Sequence, residues 1–283
     1  SADPAVLPPI SRYQAADAVP TLEVFNRGVQ PLTYRITTGA PWLAAARPRG
    51  LVTDQVTTTL VADWSRVPKG TSRIPVTLTG SEGTEVTFTA VVENPDLPRS
   101  QVRGFVEAGG HLSIGAAQFD RAVGAGDIQW RRIPRIGRTG DGVEPFPVTA
   151  ARQSPGGSGA RLEYTTTLFT TGPVVVWAHV SPRNAALARS GLKYAVSFDD
   201  AEPQLVDIVA ATGSDDGTMN VQWARNTSDN VNRTSTVHTI TRAGVHTLKF
   251  WMVDPTVVLQ QLVVDTGGLR PSLLGPPQSL RLS

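Results

Sequence analysis

The stretch His246–Pro277, HTLKFWMVDPTVVLQQLVVDTGGLRPSLLGPP, constrains the fold more than any other part of the chain. It begins as an alternating strand, turns at Asp254-Pro255, runs a second strand through Val264 and leaves in Gly/Pro coil. Successive side chains of a strand point to opposite faces, so period-two alternation between turn residues predicts paired strands of a β-sandwich. The 26 Gly and 22 Pro of the 283 residues supply the turns that such folds need. The predicted class is all-β.

The same pattern recurs along the chain. Residues 1–20 read as Pro/Ala coil. TLEVFNRG, LTYRITT, VTTTLVADW, RIPVTLTG and TEVTFTAVVEN follow as short β-branched strands, broken by Gly, Pro or Asn. They predict an immunoglobulin-like sandwich over 21–96, with Val86, Phe88 and Ala90 on one face and Trp42 and Trp64 packed at its ends. Asn94-Pro95-Asp96-Leu97-Pro98 stops the last strand, because proline donates nothing to a ladder. After a linker at 97–103, ten short strands predict a jelly-roll sandwich over 104–270, and 271–283 reads as a tail. MNVQWAR is taken as one of these strands and RNAALARS as a single helical turn.

Charge and composition exclude several classes. There is no Cys, so disulfides and thiolate metal sites are ruled out. The formal charge is +2, from 26 basic and 24 acidic residues. The one basic cluster, Arg131-Arg132 with Arg135 and Arg138, reads as a solvated loop, and no nucleic-acid partner is expected. No apolar run is long enough for a transmembrane helix, and no membrane partner is expected. The N-terminus, SADPAVLPPISRYQ, carries no signal-peptide pattern.

Catalysis by a glycosidase needs two facing carboxylates. Asp199-Asp200 and Asp215-Asp216 are adjacent pairs, and neighbours on a strand face opposite ways, so neither pair forms that couple. Asp199 is expected to accept backbone N–H bonds and hold its loop. His111, His179, His238 and His246 share no metal-ligand spacing. His179 lies on one alternating face with Val175 and Trp177 and reads as a packed or edge histidine. No Gly-x-Ser-x-Gly elbow is present, and GGSG at 156–159 lacks a strand–helix context. No catalytic residue, metal ligand or cofactor is predicted.

Sugar rings stack on aromatic faces. The aromatic candidates are Trp130, Trp223 and Trp251, each with core packing as its competing role. Trp223, read in the strand VQWAR, has Arg225 on its own face. Arg131, Arg132 and Arg138 are candidates for pairing with a ligand carboxylate, against simple surface solvation.

Ordered blocks from Leu22 onward carry a resemblance. They include Glu23–Gly28, Ala40–Leu43, Asp63–Ser65, Arg103–Ala108, Ile133–Gly140, Pro145–Val148, Arg161–Tyr164, Leu168–Gly172, Gly191–Asp200 and Lys249–Pro255. In this order they resemble the C-terminal sandwiches of glycoside hydrolase family 115, the xylan α-1,2-glucuronidases. The second sandwich is also similar to carbohydrate-binding modules of families 6 and 35. Those modules carry an early Glu-x-Glu for a structural Ca²⁺; here Gly115 and Ala117 stand at its positions, leaving Asp265 as a lone late carboxylate.

The resemblance implies a non-catalytic accessory region of a secreted or periplasmic bacterial α-glucuronidase. Its expected partners are the catalytic domains of the parent enzyme or a homodimer mate, and glucuronoxylan or a related plant polysaccharide. The alternative is an autonomous carbohydrate-binding module for (glucurono)xylan. A packing domain should expose an apolar patch, and a binding module should line a groove with aromatics.

Overall fold

A computed structural model describes residues 5–81, 83–183, 191–210 and 216–283, with the backbone alone for 216–220. The chain divides into two compact units, Ser1–Asp96 and Leu97–Ser283. Both are built from strands, in the all-β class that the alternation predicts.

The first unit holds β1 (Ala5–Val6), β2 (Ile10–Ser11), β3 (Thr21–Phe25), β4 (Leu32–Thr38), β5 (Leu43–Ala45), β6 (Arg49–Val52), β7 (Gln55–Ala62), β8 (Gly70–Gly80) and β9 (Glu85–Asn94). One sheet runs β1-β9-β8-β4-β6, with β2 also on β9, and the other runs β3-β7-β5. Alternation decides what is buried. Phe88, Ala90 and Val92 of β9 enter the core with Tyr34, Ile36, Leu60 and Val76, and Trp42 and Trp64 pack against it. On the other face Thr77 and Thr87 hydrogen-bond across the β8–β9 pair at 3.1 Å. Val86 is exposed instead of buried, because it lies at the open end of β9.

The second unit holds β10 (Gly104–Val106), β11 (His111–Gly115), β12 (Arg121–Val123), β13 (Gln129–Ile133), β14 (Gly142–Phe146), β15 (Arg161–Leu168), β16 (Gly172–Val180), β17 (Lys193–Phe198), β18 (Gln204–Asp207), α1 (Asp216–Ser228), β19 (Asn232–Ile240), β20 (Gly244–Met252), β21 (Leu259–Asp265) and β22 (Arg281–Leu282). One sheet, here the first, runs β18-β17-β20-β15-β10-β22 with β12 on β15. The second runs β13-β14-β21-β16-β19 with β11 on β21. Their inner faces meet in one core that includes Phe105, Leu112, Ile114, Leu162, Tyr164, Val176, Tyr194, Leu248, Phe250 and Leu262. The entry at Gly104 requires glycine. Its φ is +68°, and a Cβ there would lie 2.1 Å from the Thr165 carbonyl oxygen.

The structure departs from the sequence reading at both ends and at one strand. The described part of the predicted coil, residues 5–20, is not plain coil: β1 and β2 pair parallel with β9, and Ile10 and Tyr13 are buried. Two-residue strands are too short to show a period. Residues 271–283 are not a free tail. Ser279 exchanges hydrogen bonds with Ser113, its N–H donating to the Ser113 carbonyl (2.9 Å) and its Oγ accepting the Ser113 N–H (2.9 Å). β22 pairs with β10, and Arg281 reaches Asp120 (2.5 Å) and lies over the Phe105 ring.

The predicted strand MNVQWAR is part of α1. Contacts one turn apart support the helix, with Gln222 Nε2 donating to Asn226 Oδ1 (2.9 Å) and Thr227 Oγ1 to the Trp223 carbonyl (2.8 Å). Asn230, at φ +52°, ends it in the left-handed conformation that asparagine tolerates. The predicted turn RNAALARS falls almost wholly outside the described residues.

Candidate functional site

The residues singled out from sequence do not form one site. Trp251 is the clearest correction. It is 3% exposed, so no sugar can stack on it. Its indole N–H donates to Ser197 Oγ (2.9 Å), and the Arg161 guanidinium covers its ring at 4.9 Å. Trp223 is exposed, but it lies on α1. At about 100° per residue, Arg225 is then about 200° round the helix from it, not on its face. Trp130 donates its N–H to the Val123 carbonyl (2.9 Å) and meets Phe250 edge-on at 6.3 Å, packed against the core.

Arg131 follows Trp130 on β13 and therefore points the opposite way. It pairs with Glu144, which is 2% exposed, and lies over the Phe146 ring at 4.7 Å. Arg132 pairs with Asp141. The Arg135 backbone N–H and then Arg132 hold the Asp141 carboxyl below its usual range. Arg138 donates its backbone N–H to Gln260 Oε1 (3.2 Å); its Nη1 is buried with no partner among the described residues.

The carboxylates and histidines have structural work. Asp199 accepts the Thr247 N–H (2.8 Å) and faces His246 Nδ1 (2.7 Å), holding its loop, while Asp200 pairs with Lys249. Asp215 and the side chain of Asp216 lie outside the described residues. His238 meets the Phe198 ring edge-on and sits 2.7 Å from Thr236 Oγ1.

A pocket that the sequence reading missed lies on the outward face of the second sheet. β16 sends Val174, Val176, Ala178 and Val180 into the core, so Trp177 and His179 face out. Ser235 and Val263 stand directly across from Trp177, and Arg233 and Gln261 across from His179. The segment after β21 crosses this face. Pro276 accepts hydrogen bonds from Ser113 Oγ (3.2 Å) and Gln261 Nε2 (3.1 Å). Gly275 makes the close approach possible. Its φ is +82°, and a Cβ would lie 2.8 Å from Gln261 Oε1 and 3.2 Å from His179 Cε1.

Between strands and crossing segment is a cavity of about 330 Å³, lined by Trp177, His179, Arg233, Asp265, Arg270 and others. His179 is 6% exposed, and burial, aided by the Arg233 charge, lowers its pKa to about 4, so it is neutral near pH 7. Asp265 Oδ1 accepts the N–H groups of Gly267 (2.8 Å) and Leu269 (3.2 Å). A second cavity of about 820 Å³ lies beyond the segment, lined by Gly115, Ala117, Gln260, Gln261 and Gln278 with the Arg132–Asp141 pair. The outward position of Trp177 was legible beside His179. Arg270 had no periodic signal, because it lies in coil.

A protein-family profile described as the glycosyl hydrolase family 115 C-terminal domain matches residues 104–278, more than half of the chain. The chain belongs to this family. Among solved structures, it is similar to a family 115 4-O-methyl-α-glucuronidase with specificity for decorated arabinogalactans. That match has 19% identity and a TM-score of 0.40, covering 61% of this chain and 19% of that one. It is similar as well to the C-terminal family 6 carbohydrate-binding module of a marine laminarinase from Zobellia galactanivorans. Here the identity is 13% and the TM-score 0.34, over 55% of this chain and 98% of that one. No curated protein matches. The chain thus spans about a fifth of the length of the matched glucuronidase.

Within this family 115 C-terminal domain, the positions considered for calcium are far apart. β11 and β21 pair with His111 opposite Asp265 and Gly115 opposite Gln261. Four residues of strand separate Asp265 from the Gly115 end, roughly 13 Å at the rise of a strand. Among the described residues, no three His, Cys, Asp or Glu side chains converge on a metal position.

Proposed function

We propose that the chain is a non-catalytic accessory region of a glycoside hydrolase acting on glucuronoxylan, packing against the catalytic barrel or a dimer mate and shaping the substrate groove. The observation that carries this reading is the family match over residues 104–278. The first unit supports packing. A groove of about 580 Å³ there is lined by Phe25, Val29, Leu32 and Leu78, and Phe25 and Val29 are 53% and 100% exposed. An open apolar lining of this kind is stabilised by a covering protein surface. The occupant proposed is the catalytic part of the parent enzyme. The proposed location is outside a bacterial cytoplasm, secreted or periplasmic, where a polysaccharide too large to cross a membrane is met.

The test is turnover by the chain alone on glucuronoxylan and aldouronic acids. No release of 4-O-methylglucuronate is expected. Release that a point change at Asp199, Asp200 or Glu144 abolishes would overturn the accessory reading.

A second reading, carbohydrate binding by the chain itself, is favoured by one observation. Trp177 lines an open pocket, and its indole N–H makes no hydrogen bond among the described residues.

A further inference from the structure

We propose that the outward face of the first unit carries an anion site, in which Arg35 and Arg49 hold the tetrahedral oxyanion of a phosphate or sulfate group. The site stands apart from the accessory and sugar-binding readings. Its starting point is a like-charge pair that the fold sets in register. β4 and β6 pair with Arg35 directly opposite Arg49. Tyr34, Ile36 and Val52 of these strands enter the core, so Arg35 and Arg49 both face out. Like charges directly opposite each other in an antiparallel pair destabilise it. In the second unit Arg131, Arg132, Arg152, Arg161 and Arg281 each hold a carboxylate. Arg35 and Arg49 are exposed, and neither has an ion pair or a side-chain hydrogen bond among the described residues. Further along the same row, Thr79 stands opposite Arg35 and Glu85 opposite Thr79. The first carboxylate of the row is thus two strands from Arg35, roughly 10 Å at the spacing of paired strands.

The lining narrows the ligand. A shallow depression of about 610 Å³ lies between these side chains and the next outward row. In that row Ser81 Oγ accepts the Thr33 N–H (3.3 Å), and the Ser81 N–H donates to the Thr33 carbonyl (2.9 Å). Between the rows Tyr34 has Gly50 on one side and Gly80 on the other. Tyr34 is buried, so this middle row leaves backbone as the floor. The lining is then two guanidiniums, the hydroxyls of Thr33, Thr79 and Ser81, and backbone, with no carboxylate in it. A guanidinium fork matches the oxygens of phosphate and sulfate, and two forks can share one such group. Hydroxyls beside them rotate to donate to the remaining oxygens. A carboxylate has two oxygens and is satisfied by one fork, which leaves the second arginine and the hydroxyls unserved. No aromatic ring faces outward here, so a sugar ring has nothing to stack on. Because the depression is open, a phosphate still esterified to a larger molecule fits as well as the free ion.

The experiment is titration calorimetry on the full chain at low ionic strength with inorganic phosphate, sodium sulfate, methyl phosphate and sodium acetate. We expect a millimolar Kd for phosphate and sulfate, methyl phosphate within about threefold of them, and acetate at least about tenfold weaker. Affinity should fall as sodium chloride is added. Arg35→Gln and Arg49→Gln should each weaken phosphate binding about tenfold or more. The same variants test the pair with no ligand present. In phosphate-free, low-salt buffer each should raise the thermal midpoint by roughly 1–4 °C, because one charge of the repelling pair is gone. Phosphate at a few times its Kd should raise the midpoint of the unsubstituted chain and leave the variants where they are. A rise shared equally by the variants would be the general stabilisation that both salts give by exclusion from protein surfaces, and would overturn the site. A lower midpoint in both variants would mean that the arginines stabilise the sheet as they stand, and would remove the argument for an anion between them. Acetate bound as tightly as phosphate would overturn the tetrahedral assignment, and refusal of methyl phosphate would overturn the fit of an ester. No phosphate or sulfate binding by the folded chain would sink the site, without touching the accessory or sugar-binding readings.

Discussion

Each sheet of the second unit carries a tryptophan on its outward face, and the two have opposite fates. Trp251 on β20 is roofed. Arg161 lies over its ring while donating to Glu163 (2.6 Å) and to the Gly159 carbonyl (3.0 Å), so roof and roofed are fully partnered. Trp177 on β16 is left half-open, between a crossing segment and two arginines with no carboxylate to hold. An outward tryptophan is therefore not a binding residue by position alone. What separates the two is whether the groups around the ring are already satisfied.

The comparison breaks most directly at the rings themselves. Trp251→Ala removes a buried ring and strands Ser197, and the expected loss is about 3–5 kcal/mol of stability. Trp177→Ala empties a half-exposed position, and about 1 kcal/mol is expected. Urea unfolding of both variants checks this. Equal losses would mean that Trp177 is as structural as Trp251 and would remove the reason to read it as a contact residue.

Acid sharpens the contrast next. The Trp177 face rests on His179, and His238 lies on the neighbouring strand β19; burial lowers both pKa values from 6.5 to about 4. Below pH 6.5 the unfolded chain takes up protons that the folded chain refuses. Stability is thus complete above pH 6.5, is lost as pH falls toward 4 and levels off below that. The loss by pH 5 is about 2 kcal/mol per histidine. Comparing urea midpoints at pH 7.5 and 5 for His179→Gln and His238→Gln tests it, since each change should flatten the acid slope. A slope unaltered in both variants would show that neither histidine is held neutral.

A smaller effect is expected at Gly275. Substitution by Ala sets a Cβ against Gln261 and His179 in a backbone conformation that alanine resists. The expected cost is about 1–2 kcal/mol, with the crossing segment lifted and the pocket altered. An alanine variant as stable as the parent would mean that the segment does not press on this face.

How much of this could be read in advance follows from where period two survives. β8, β9, β15, β16 and β20 each have one face buried against a sheet, and their alternation marks them, whereas β21 is buried on both faces and shows no alternation. The helix α1 broke the rule because Val221, Gln222 and Trp223 mimic alternation over three residues, while its support comes from contacts four apart. The end strands pair through two residues each, too few for any pattern. At the candidate site, Trp130 and Arg131 looked like a cluster because they are adjacent in sequence, although strand geometry sends them apart. The pocket over Trp177 gathers residues from β16, β19, β21 and a coil, a convergence made by tertiary pairing. Aromatic content pointed to tryptophan; burial and hydrogen-bond accounting separate the sealed Trp130 and Trp251 from the half-open Trp177.

The smallest expected effect is none at all. The β11–β21 pair has two ends with different chemistry. At one end Asp265 holds the turn that follows it through Gly267 and Leu269. At the other, Gly115 and Ala117 line the larger cavity and offer no side-chain oxygen, while nearby Asp141 is held by Arg132 and Arg135. A hard cation needs six to eight oxygens within about 2.6 Å, and the register keeps Asp265 roughly 13 Å from the Gly115 end. Neither end gathers enough charge alone. EDTA should therefore leave the melting temperature unchanged within about 1 °C, because a cation bound only to the folded state would raise it. A clear drop that Ca²⁺ restores would show a site built from backbone carbonyls, and would make the Asp265 end a metal anchor.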